Sequence, residues 1–147
     1  FEAVLTPVVS GAATNQRFKF AITNTGAAHY LPTGTPDRHL VIELRLLDKT
    51  DRTIKAEQHV LKRTVMWRPF IVDLWDTRLP RWQPRSFYID TDAAGADQPA
   101  AVEAVVWYYL VAESRRRRIG YDNREPTAFK VFEKRIVLQS PDDGGQV

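Results

Sequence analysis

The chain of 147 residues is long enough for one domain with a substantial core and short for two. Its apolar and charged fractions, 44% and 27%, are those of an ordinary globular protein, and no apolar run approaches the roughly 18 residues that a spanning helix needs. The absence of cysteine excludes disulfides, zinc-thiolate sites and thiol nucleophiles within these residues, and a net charge of +3 is too mild for a nucleic-acid partner.

The first residue is Phe1 rather than methionine, as expected of a processed or trimmed chain, so the N-terminus carries no reading for or against export. Phe1 to Val9 reads as an edge strand, because Pro7 cannot donate to a ladder. Ser10 to Gln16 is a small polar turn. Phe18, Phe20 and Ile22 then face one way and Lys19, Ala21 and Thr23 the other, the period-two signature of a half-buried strand. Leu40, Ile42, Leu44 and Leu46 repeat the pattern against Val41, Glu43 and Arg45. Asp48 to Arg52 is a turn of residues that bond their own backbone, and Thr53 to Val60 resumes as a more polar strand. From Leu61 to Arg85, Pro69, Pro80 and Pro84 forbid a long helix. One or two short strands are expected there, Phe70-Ile71-Val72 among them. Ser86 to Thr91 alternates again, and Asp92 to Ala101 is a surface loop. Val102 to Val111 is apolar on both faces and rich in β-branched and aromatic residues, which favours a covered central strand over a buried helix. Arg115 to Arg118 read as a solvated hairpin tip, followed by a Gly-Tyr-Asp-Asn turn. Lys130 to Leu138 is the last strand. Residues 1–139 are thus expected to form one domain and residues 140–147 a flexible tail. Seven to eight short strands with scarcely any helix predict an all-β, two-layer sandwich of the immunoglobulin or fibronectin type, without the Cys-Trp-Cys framework of antibody-like domains.

The stretch Asn24-Thr25-Gly26-Ala27-Ala28-His29-Tyr30-Leu31-Pro32-Thr33-Gly34-Thr35-Pro36-Asp37-Arg38 joins two of these strands and holds two glycines, two prolines and one histidine. A stiff loop of this kind fixes where His29 points, and a neutral imidazole presented with little freedom suits metal ligation. Taken alone, such a histidine is more often solvated or hydrogen-bonded. Nothing nearby completes a site: His39 lies ten residues on, His59 belongs to another strand, and neither His-x-His nor His-x-x-x-His occurs. Any remaining ligands would come from a cofactor or another polypeptide. Met66, Trp67 and Trp75 suit either a docking patch or anchored loops. Asp73, Asp76 and Glu57 lack the spacing of acid-base or calcium sites, and no nucleophile elbow is present, so no enzymatic activity is expected.

The same loop resembles the Asn-x-Gly-x-x-His-x-x-Pro-Thr-Gly stretch of β-sandwich domains attached to multihaem c-type cytochromes. The likeness covers residues 17–48 well and extends through Ile89. It implies that His29 is a distal axial ligand to a haem iron, with Tyr30, Leu31 and Pro32 packing at the haem edge. The chain departs from the pattern in lacking any Cys-x-x-Cys-His, so the implied haem c is held by a partner chain and none is attached covalently here. Arg38 and Arg115, Arg116, Arg117 and Arg118 are then candidates for forked bonds to haem propionates or to the partner polypeptide. Because such assemblies mature outside the cytoplasm, the resemblance implies a periplasmic or extracellular accessory subunit or domain in electron transfer. Two other readings stand beside it. One is an adhesion or carbohydrate-binding module using Trp67, Trp75 or Trp82. The other is a small copper or zinc protein using His29 with His39 or His59.

Overall fold

The computed structural model describes residues 1–8, 16–91, 98–122 and 125–138. Among these residues, nine strands and one short α-helix follow in chain order: β1 (Glu2–Val8), β2 (Arg17–Thr23), β3 (His39–Leu47), β4 (Thr53–Leu61), β5 (Arg63–Met66), β6 (Val72–Asp76), β7 (Arg85–Asp90), β8 (Ala101–Tyr109), α1 (Glu113–Arg118) and β9 (Ala128–Val137). One sheet has the order β1-β2-β7, a second β4-β3-β8-β9, and β5 pairs with β6 as a separate two-stranded hairpin. All the pairings are antiparallel.

Alternation along the strands builds the core between the two larger sheets. Phe18, Phe20 and Ile22 of β2, with Leu5 and Ile89, meet Leu40, Ile42, Leu44 and Leu46 of β3 and Val102, Ala104 and Val106 of β8. Each of the larger side chains contributes about 1.5–3 kcal/mol by leaving water. Strand β8 is central, as its two apolar faces predict, but among the described residues no third layer covers its outer face. Neighbouring side chains do so instead: Lys130 lies over Trp107, and His39 stacks on Tyr109 at 4.8 Å. Strand β1 is an edge strand, and Pro7 sits within its ladder opposite Phe18.

Three sequence expectations are corrected. Arg115 to Arg118 do not form a hairpin tip; they lie in α1, where Glu113 holds Arg116 and Arg117 at the spacing of adjacent turns. Of Phe70-Ile71-Val72, only Val72 is in a strand, while Phe70 and Ile71 occupy the connection of the β5–β6 hairpin. The last strand runs two residues earlier than expected at its start, from Ala128. The tail at 140–147 lies outside the described residues, as do parts of the expected turns and loops at residues 10–15, 92–97 and 123.

Candidate functional site

The loop after β2 is organised by one buried amide. Asn24 is 0% exposed and is the buried polar residue of the described core. Its Nδ2 donates to the backbone carbonyl of His29 at 2.7 Å and more weakly to that of Leu79 at 3.4 Å, while its Oδ1 accepts from the Ala27 N–H at 3.0 Å. An unpaired amide in this position would be costly, so the loop folds back to satisfy it. A second anchor follows at once: Leu31 and Leu79 exchange backbone hydrogen bonds of 3.0 and 2.7 Å. A third comes from the Trp82 N–H, which donates to the Asn24 carbonyl at 3.0 Å.

These anchors hold His29 from behind and leave its side chain exposed. Its Nδ1 lies 3.3 Å from the Tyr30 carbonyl oxygen. A carbonyl can only accept, so in the neutral ring this contact favours the tautomer with its proton on Nδ1 and a lone pair on Nε2. Tyr30 is exposed beside it and is backed by the Arg78 guanidinium, 5.3 Å from the ring centroid. Arg78 is itself fixed by forked bonds to Asp76, which hold the Asp76 carboxyl below its ordinary range. Leu31 is half-buried and Pro32 buried, so of the expected haem-edge trio Tyr30 is the exposed member.

At the far end of the loop, Gly34 has φ +95°, and a Cβ there would stand 3.0 Å from the Arg38 guanidinium, which lies across the turn. Asp37 binds Arg115 at 2.6 Å, and Arg115 in turn lies 5.9 Å from the Trp67 ring centroid. Arg116 and Arg117 are engaged by Glu113, whose carboxyl they hold down at about 2. Arg118 lines a hollow with Trp67, Arg68 and Arg115. The expected arginine cluster is therefore divided, with three members committed to carboxylates of the chain.

The three histidines do not converge. His39 has its Nδ1 2.7 Å from the Asp37 carbonyl and its ring on Tyr109, whereas His59 stacks on Phe87 at 4.4 Å with its Nε2 buried and unpartnered. Among the described residues, no group of three or more His, Cys, Asp or Glu side chains is placed to hold a metal ion. No helix among them is long and apolar enough to cross a membrane. Asn24, Arg78 and Leu79 escaped the sequence reading as site residues. The asparagine stands at the head of the loop motif, but nothing local marks it as buried, and the other two are brought in by long-range pairing.

No family model and no curated protein sequence matches the chain. Its fold is similar to that of a penta-heme cytochrome c552 from Thermochromatium tepidum, with a TM-score of 0.72 and 17% identity. The match covers 92% of this chain and 39% of that protein, so the chain spans about two fifths of its structural relative.

Proposed function

We propose that this chain is a non-catalytic component of a multihaem c-type cytochrome assembly, and that it supplies His29 as distal axial ligand to a haem c held by a partner polypeptide. The observation that carries the reading is the exposed His29 imidazole on a loop anchored from behind by Asn24, with its Nδ1 turned to the Tyr30 carbonyl and its Nε2 outside that contact. A sandwich of this shape occurs in a protein named as a pentahaem cytochrome, of which 61% lies beyond the shared part (100% less the 39% covered). The donor set fits. One imidazole with no companion ligands among the described residues suits an iron whose other positions are already filled, and poorly suits a self-contained copper or zinc site.

Haem c supplies the one-electron couple when bound; this chain has no cysteine with which to tether it. His29 would be the residue of this chain that holds the iron, and a ligand there would close it to small molecules. The Nδ1 contact to Tyr30 fixes the tautomer and the orientation of the ring. Tyr30, stiffened by Arg78, would cover the porphyrin edge, with half-buried Leu31 beside it and buried Pro32 supporting the loop from within, excluding water and lowering the local dielectric. With Arg115, Arg116 and Arg117 paired internally, Arg38 and Arg118 are the cations left for propionates or partner carboxylates. Maturation of c-type assemblies places such a chain in the periplasm or outside the cell.

The test titrates the chain into a haem c peptide with one histidine ligand and one open axial position (microperoxidase). The expected result is conversion to a six-coordinate low-spin spectrum, lost in His29→Ala and retained in His39→Ala and His59→Ala. In the native complex, His29→Ala is expected to change the low-spin signal of one haem while the sandwich stays folded. No conversion by the native chain, or equal conversion by His29→Ala, overturns the reading. The exposure of Trp67, Trp75 and Trp82 supports a second reading, an adhesion module. That reading gains if their replacement abolishes binding while haem spectra are indifferent to His29.

A further inference from the structure

The β5–β6 hairpin is apolar where it meets water. Phe70 is 74% exposed, Ile71 68%, Trp75 57% and Trp67 51%. Strand β6 is exposed along its whole length, so neither of its faces packs on the sandwich. A two-stranded hairpin gains little stability alone in water, and a contiguous apolar surface of this kind marks a place where something docks. On either side of Trp67 the surface is concave. A hollow of about 340 Å³ lies between it and Asp37, His39 and Thr64, whose hydroxyl is buried without a partner; another of about 480 Å³ is walled by Arg68, Arg115 and Arg118.

We infer that this hairpin, with the arginines beside it, is a docking surface for an acidic protein segment that carries apolar side chains between its carboxylates. The apolar side chains fill the hollows beside Trp67, and the carboxylates meet Arg68 and Arg118, for which the described residues offer no ion-pair partner. The inference deepens the reading above by naming the chemistry of the partner's contact surface, and rests on that reading only in calling the partner the haem-bearing polypeptide. Charge complementarity names this occupant: one hollow beside Trp67 is walled by three arginines, Arg68, Arg115 and Arg118, of which Arg115 alone is held by a carboxylate among the described residues. The hollows on either side of Trp67 receive side chains, which the face of a bilayer does not offer.

The probe is a fluorescently labelled peptide, Asp-Glu-Phe-Glu-Asp-Leu-Asp-Glu, with its Asn/Gln counterpart as control, followed by anisotropy with the full chain. The acidic peptide is expected to bind and the amide peptide not. Replacing Arg68 and Arg118 together by alanine, or raising NaCl from about 50 mM to about 500 mM, is expected to weaken binding roughly tenfold. Phe70→Ser and Ile71→Ser weaken it while leaving the fold intact, and His29→Ala leaves it unchanged, which separates this contact from iron ligation. Five results overturn the inference: binding by neither peptide, equal binding of both, or indifference to the arginine pair; phosphatidylglycerol vesicles bound through Phe70 and Ile71; or self-association in sedimentation that Ile71→Ser abolishes.

Discussion

Asn24 does for the loop what a side chain rarely does for so many backbone groups at once: it joins His29, Leu79 and Ala27 through one buried amide. Replacing it by alanine strands the Ala27 N–H and the His29 carbonyl without adding anything the core can use. Asn24→Ala is therefore expected to destabilise the protein by about 2–3 kcal/mol in urea unfolding. Asn24→Asp keeps the acceptor but turns a buried carboxylate towards the His29 and Leu79 carbonyl oxygens, and is expected to cost at least as much as the alanine. The loop that carries the histidine was legible from the sequence because glycine and proline punctuate it and leave one imidazole alone among small residues. Its support was not. An asparagine before Thr-Gly reads as an ordinary turn residue, and only the crossing of Leu79 and Trp82 beneath it makes it a buried hub.

Within α1, the arginine run owes its helical form to Glu113 in its first turn, ahead of four cations in the last. The hydrogen bonds from Arg116, then from Arg117, lower the Glu113 pKa from 4.5 to about 2. A carboxyl depressed in the folded state stabilises it fully above its unfolded pKa, and that contribution fades as the pH drops from about 4.5 through about 2. Carboxyl titration by NMR is expected to place the Glu113 midpoint near the lower value, and the double substitution Arg116→Ala with Arg117→Ala to return it towards 4.5. Four arginines in a row signalled charge to the sequence reader but not helix, since the organising carboxylate is a single residue that periodicity does not weigh. The hairpin hid for a related reason. Pro69 and the apolar Phe70-Ile71-Val72 suggested a strand centred where the chain reverses, because exposure on both faces leaves no alternating pattern to follow.

Across the molecule, the two sheets were the most legible feature, because β2, β3 and β8 each send every second residue into the core between them. Phe20 sits at the middle of that arrangement, fully buried and 5.6 Å from the Phe132 ring across the sandwich. Phe20→Ala is expected to cost about 3–5 kcal/mol, seen as a large fall in thermal midpoint, whereas exposed His29 tolerates the same change with little effect. Partnership between the His29 loop and the hairpin could not be read from their distance in the chain. The segment 77–82 makes it: Leu79 and Trp82 grip the loop, and the Thr77 N–H bonds the Lys62 carbonyl at the hairpin's base. A partner engaged by the hairpin would then find the imidazole already tethered alongside, at an effective concentration in the millimolar range set by short, stiff connections. Release would require both grips to let go within the same brief interval, so a modest contact at each would suffice for a long-lived complex.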